Sequence, residues 1–165
     1  MSLSDRRAFL LFLSAGVLSG CGFQPVYTSG GAATAIRGQV RTKTIQGRDG
    51  FELVGRLDAR LDPPGANARY LMSVDLTVTE EDLILDVTNG ITRYTLVGIA
   101  KVSVTDTSTS AVVFQDKLRD TVGYSGTSET VQTEAAERDA HRRLMVALAD
   151  QIVLRLTSTA SSWTT

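Results

Sequence analysis

Apolar and polar positions alternate through the middle of the chain. Met72, Val74, Leu76 and Val78 are separated by Ser73, Asp75, Thr77 and Thr79, the two-residue period of a strand with one buried face. Leu83, Leu85 and Val87 repeat the pattern after Glu80-Glu81-Asp82, which reads as an acidic turn. Asn89-Gly90 then accepts the positive φ angles of a two-residue hairpin turn. Such a turn sets Thr88 opposite Ile91, Leu85 opposite Tyr94 and Leu83 opposite Leu96, with Asp86 and Arg93 as an ion pair on the other face. A turn at 79–82 likewise matches Leu76 with Leu85 and Val78 with Leu83. The third connection is Thr105 to Ala111 (TDTSTSA); pairing Val104 with Val112 brings Val102 to Phe114 and Gly98 to Leu118. All three hairpins share one apolar face. The pattern predicts a four-stranded antiparallel meander, in which a slip of one residue would turn the apolar set outward.

The flanking segments follow other periods. Ile36 to Ile45 (IRGQVRTKTI) holds β-formers and predicts a first strand. From Asp49, residues Phe51, Val54, Leu57 and Leu61 recur at three- and four-residue steps, predicting a short amphipathic helix that Asp62-Pro63-Pro64-Gly65 stops. From Glu129 to Leu156, the stripe Val131, Ala135, Ala136, Ala140, Leu144, Ala147, Leu148 and Ile152 predicts a long closing helix. Ser128 is its expected N-cap, with Glu134–Arg138 and Asp139–Arg143 as i,i+4 pairs. The expected fold class is α+β: a mostly antiparallel sheet of four to five strands, with two helices, one short and one long and C-terminal, packed on one face.

The N-terminus changes the picture of where such a domain lives. Arg6 and Arg7 precede an apolar run, Ala8 to Leu18, too short to cross about 30 Å of hydrocarbon as a helix. Leu18-Ser19-Gly20-Cys21 places the only cysteine where a bacterial lipoprotein leader is cut and acylated, whereas the competing reading makes Cys21 a buried structural thiol. Asp5-Arg6-Arg7-Ala8-Phe9-Leu10 also resembles a twin-arginine export signal. Gly22 stands where aspartate signals inner-membrane retention in many enterobacterial lipoproteins, which favours the outer membrane. The expected division is residues 1–20 as signal peptide, 21–35 as lipidated N-terminus and tether, 36–156 as one domain, and 157–165 as a polar tail in which Trp163 is a frayed-end residue or an interfacial anchor.

Lys and Arg number 17 against 18 Asp and Glu, and losing Asp5, Arg6 and Arg7 with the leader makes the balance slightly more acidic. A general nucleic-acid binder would carry a basic stripe instead. His141, the only histidine, sits beside Arg142 and Arg143 on a polar helix flank and reads as a solvated side chain rather than a general base. One histidine and an acylated cysteine cannot assemble a usual zinc set, and no nucleophile elbow, phosphate loop or dinucleotide fingerprint occurs. No cofactor and no enzymatic activity are expected.

The residues after the cut, Cys21-Gly22-Phe23-Gln24-Pro25-Val26-Tyr27, resemble the start of the alphaproteobacterial lipopolysaccharide-assembly lipoproteins (LptE, RlpB-like). Arg93-Tyr94-Thr95-Leu96, Glu134-Ala135-Ala136-Glu137-Arg138-Asp139-Ala140 and Leu148-Ala149-Asp150-Gln151-Ile152 extend the likeness over nearly the whole mature chain. The resemblance implies a non-enzymatic subunit of the outer-membrane translocon, a compact plug that sits in the LptD β-barrel, assists its assembly and contacts lipopolysaccharide (LPS). In the meander register above, outward Lys117 stands beside Ile99 and outward Arg119 beside Val97, with Lys101 one step along. Cations there would meet phosphates, while exposed Val97 and Ile99 would meet sugar or acyl carbon. An ordinary solvated face, or one that lies on the barrel wall, is the plainer reading. The alternative function is an accessory lipoprotein of another envelope system, either an ABC-transport auxiliary subunit or a carrier of a lipid or peptidoglycan fragment. A carrier needs a deep apolar cavity, whereas a plug has a filled core.

Overall fold

The computed structural model describes residues 31–86, 91–126 and 129–164. In chain order they form α1 (Ala32–Ala35), β1 (Val40–Thr42), α2 (Gly47–Leu61), β2 (Tyr70–Asp86), β3 (Ile91–Asp106), β4 (Val112–Gly126), α3 (Thr130–Thr159) and a 3-10 turn (Ala160–Ser162). The sheet order is β1-β2-β3-β4, with β1 parallel to β2 and the other neighbours antiparallel. Hairpins suffice for the antiparallel pairs, whereas the parallel pair needs a crossover, which α2 supplies. The architecture is the α+β arrangement that the alternation predicts, with a mostly antiparallel sheet and a long C-terminal helix.

The strand count and the register differ from expectation. Residues 79–82 do not turn: β2 runs through them, pairing Glu80, Glu81 and Asp82 with Leu96, Thr95 and Tyr94. Thr79, Glu80 and Glu81 are exposed, so their polar groups stay hydrated and a strand can carry them. The meander therefore has three strands, and the short parallel β1 completes the sheet. Leu83 falls at a bulge between Asp82 and Ile84, beyond which Leu85 pairs with Thr92 and Asp86 with Ile91. Arg93 consequently stands opposite Ile84 rather than Asp86. Ile91 faces Asp86 and not the expected Thr88, while the Asn89-Gly90 turn itself lies outside the described residues.

The β3–β4 register also moves by two residues, placing Val104 opposite Phe114 and Gly98 opposite Asp120. Asp106 explains the tighter turn. Its carboxylate, almost fully buried, accepts from the Ser108 N–H (2.8 Å), the Ser108 hydroxyl (2.6 Å) and Arg69 Nε (2.9 Å). Its backbone N–H donates to the Ala111 carbonyl, and its carbonyl accepts from Ser110 N–H. The Ser108 hydroxyl and N–H, with Arg69 behind them, hold the Asp106 carboxyl below its ordinary range. A depressed folded-state value gives stability that is complete above the ordinary carboxylate pKa and is lost as pH falls through the folded value. Asp106→Asn is therefore expected to lower the thermal midpoint at neutral pH. The gap to the unmodified protein should close on acidification, as a series of melts at falling pH would record.

α3 lies on the inner face of the sheet, over β4 and the neighbouring β3. Gly98 on β3 is the point of closest approach: a Cβ there would come within 2.8 Å of Leu148 Cδ1 and 3.1 Å of Leu144 Cδ2. With Ala100 beside it, Gly98 leaves a trough that the two leucines fill. α3 buries a wider face than the predicted stripe, because Met145, Ala149 and Val153 are covered as well as Leu144, Leu148 and Ile152. α2 covers that second side. Arg56 of α2 reaches Asp150 of α3 at 2.9 Å, and Asp49 reaches His141 Nδ1 at 2.8 Å. His141 is thus partly buried and partnered, not solvated. Val131, at the first turn, stays exposed, as does the start of the predicted stripe at Ala135. The cap position falls to Glu129, whose carboxylate accepts from Gln132 Nε2 instead of capping the helix, and the Asp139–Arg143 pair forms at 2.8 Å.

α2 buries Gly50, Leu53, Leu57 and Leu61 and leaves Phe51 in solvent, a face rotated from the predicted Phe51-Val54 stripe. Gly50 allows this rotation, since its missing side chain lets the first turn of the helix lie on Ile45. The predicted Ile36–Ile45 strand contracts to Val40–Thr42, because Gly38 takes a positive φ (65°) and its N–H bonds to the Leu61 carbonyl at the end of α2. At the base of the sheet Trp163 is 8% exposed, edge-on to Tyr70 at 5.1 Å and tilted to Phe114 at 6.3 Å, while Nε1 donates to Thr159. It is a core residue, not a frayed end. Ala33 of α1 is buried too, so the expected tether joins the fold at its last residues. At the far end Tyr94 stacks on Tyr124 (5.0 Å), whose hydroxyl donates to Glu80 at 2.5 Å.

Candidate functional site: the outer face of the sheet

Both helices lie on the inner face, so the outward side chains of β2, β3 and β4 define the opposite one. Across it run three ladder rows: Asp75–Lys101–Lys117, Thr77–Ile99–Arg119 and Thr79–Val97–Thr121. Lys101 and Lys117 are direct cross-strand neighbours, and Arg119 is diagonal to Lys101. The sequence-predicted cations therefore do share one face, but with altered partners: Lys117 stands beside Lys101 instead of Ile99, and Arg119 beside Ile99 instead of Val97. A two-residue shift changes partners while preserving the face each side chain takes.

Like charges directly opposite on a sheet repel, and a nearby anion relieves them. Asp75 supplies part of that relief, its carboxylate lying 3.3 Å from Lys101 Nζ at the edge of the row. All three cations are exposed, so the mutual terms are small and screened by salt. Ser73, Ser103 and Gln115 continue the polar lining of a shallow depression of about 570 Å³ around Lys101 and Lys117. Such a surface offers ammonium, guanidinium and hydroxyl donors to phosphate and sugar oxygens.

Val97 contributes less than expected. It is 4% exposed, standing on the middle strand between Thr79 and Thr121, and only Ile99 is left partly open. Sequence reasoning did not pair Asp75 with Lys101 or single out the Ser73–Ser103 hydroxyls; the outward alternation of Ser73 and Asp75 with Met72 and Val74 was the available signal. Cys21 lies outside the described residues. Among the described residues no group of His, Cys, Asp or Glu has the spacing to hold a metal ion, and no helix is long and apolar enough to cross a membrane.

This fold is shared with bacterial lipoproteins of known structure. A putative lipoprotein from Caulobacter crescentus superposes with a TM-score of 0.65 at 19% identity, covering 78% of this chain and 96% of that one. The rare lipoprotein B of Shewanella oneidensis gives 0.55 at 12% identity, covering 75% and 96%. A minor lipoprotein from Acinetobacter baumannii gives 0.51 at 14% identity, covering 73% and 91%. Among curated proteins none is significantly similar in sequence. The sequence model of the LptE lipopolysaccharide-assembly family matches residues 23–156, and the chain belongs to that family. Its members are non-enzymatic lipoproteins of the outer membrane.

Proposed function

We propose that this protein is the lipoprotein subunit of the LPS translocon, which plugs the LptD β-barrel, assists its assembly and contacts LPS as the lipid passes to the outer leaflet. In this reading the leader ends at Gly20, Cys21 carries the acyl chains, and the domain faces the periplasm from within the barrel. Several chains are needed for durable anchoring, each buried methylene adding about 0.8 kcal/mol. Lys101, Lys117 and Arg119 are the LPS-contacting residues.

The observation that carries the proposal is the asymmetry of the sheet in a member of this family. One face is filled by helices, with Leu96, Leu144, Leu148 and Ile152 at 1% exposure or less, while the other bears three clustered, exposed cations that no described element covers. A carrier of small lipids would instead have a deep cavity in the first of these faces. Purification of the native lipoprotein from detergent-solubilised outer membranes is expected to bring down a large β-barrel, and recovery of other envelope partners in its place would favour the accessory-subunit reading. Lys117→Glu with Arg119→Glu is expected to weaken LPS binding about tenfold or more, the scale of losing charge-assisted contacts. The melting temperature should hardly move, since both side chains are exposed. Unchanged affinity would remove the site while leaving the family role intact.

A further inference from the structure

We infer that the groove between the open edge of β2 and the start of α2 is the seat of the chain's own segment Phe23-Gln24-Pro25-Val26-Tyr27. The groove, about 440 Å³, is floored by Ile45, Leu76 and Val78 and rimmed by Arg48, Asp49 and His141. β1 covers β2 only from Tyr70 to Met72, where the Tyr70 N–H donates to the Gln39 carbonyl and the Met72 carbonyl accepts from Lys43 N–H. By strand alternation Val74, Leu76 and Val78 turn their N–H and C=O groups the same way, off the open edge beyond β1. The side chains of Leu76 and Val78 are also the groove floor. A segment laid along this edge gains main-chain bonds and apolar contact together.

The occupant follows from chain length and composition. Phe23, Val26 and Tyr27 fall within five residues, and no charged residue occurs from Cys21 to Ile36. The described chain begins at Gly31, beside the other end of α2, where Ala33 and Leu61 line a common pocket. From Leu61 back to Asp49 is about 18 Å along the helix. The stretch from Phe23 to Gly31 spans up to about 26 Å when extended, which covers that distance with slack. Tethering raises the effective concentration of the segment into the millimolar range, so even a weak contact is populated. Pro25 fits an added edge strand, because alternate N–H groups there face solvent. Phe23 is the aromatic side chain that this seat would match to the Leu76 and Val78 floor. The placement does not depend on the translocon reading.

Hydrogen exchange on the isolated mature lipoprotein in detergent tests it. The amides of Val74, Leu76 and Val78 are expected to exchange slowly, and Phe23→Ala should speed them at least tenfold while β3 amides stay unchanged. A benzophenone side chain placed at position 23 should cross-link to Ile45 or to residues 76–78. Fast exchange in the unmodified protein, or cross-links confined to other regions, overturns the inference. Protection that grows with protein concentration, or that arises only with a bound barrel, gives the groove to another occupant and overturns it equally.

Discussion

Gly50→Ala is expected to destabilise the domain by about 2–4 kcal/mol, even though alanine is the better helix former. The intrinsic gain is at most about 1 kcal/mol. Against it, a Cβ at Gly50 would lie 2.5 Å from the Ile45 carbonyl oxygen and 2.7 Å from the Ile45 Cβ and Cγ2. The first of these is backbone and cannot swing aside, so either the Ile45 loop or the first turn of α2 must move. The second choice would drag Asp49 from His141 and disturb the Leu53 and Leu57 contacts. Gly55, in the same helix, provides the control. Nothing stands within 4 Å of a Cβ there, so Gly55→Ala should gain about 0.5–1 kcal/mol. Urea unfolding of the two variants should therefore shift the midpoint in opposite directions. Shifts of the same sign would refute the close approach of Ile45.

Leu148→Ala should cost about 3–5 kcal/mol, because the side chain is fully buried in the trough above Gly98. Gly98→Ala alone should cost about 1–3 kcal/mol, as its new methyl meets Leu148 Cδ1 at 2.8 Å and both Leu144 methyls near 3.1–3.2 Å. Those neighbours are flexible side-chain ends, so the penalty is smaller than at Gly50. Combining the two substitutions is the sharper measurement. The added methyl then enters space that Leu148 has vacated, and the double variant should be more stable than the sum of the singles predicts by about 1 kcal/mol or more. Strict additivity would mean that α3 does not lie on β3 at this point.

What the sequence made legible is what periodicity controls. The face of most strand residues, the existence of both main helices and the α+β class follow from two- and 3.6-residue periods, and the structure carries them, with Val112 an exception that is 54% exposed while Val113 packs on the core. Cross-strand partners do not follow, because a shift of two residues leaves every apolar side chain on the correct face. At the β3–β4 connection Asp106, through its buried bonds to Ser108 and Arg69, defines a turn that sets Thr105 opposite Val112. An irregularity between Val104 and Thr105 adds the second residue of the shift, and hydrophobic matching sees neither. Glu80-Glu81-Asp82 looked like a turn because acidic residues usually interrupt strands, yet here β2 continues through them with Glu80 and Glu81 exposed. Trp163 misled for the opposite reason. Its neighbours in sequence are small and polar, while its partners Tyr70 and Phe114 are distant in sequence. Lys101, Lys117 and Arg119 share a face despite the register error, since a two-residue shift preserves the side each takes.

The position of α3 on the sheet has a kinetic corollary. It is the last large element in the chain and packs mainly on β4, made just before it, while its ties to α2 join residues 92 and 94 positions apart. Contacts so remote carry a loop-closure cost that slows the final docking relative to the local pairing of the meander. Until that helix docks, Leu96, Val102 and Val104 have no cover, and a nascent polypeptide in this condition is a natural client for a holdase in the compartment where it folds.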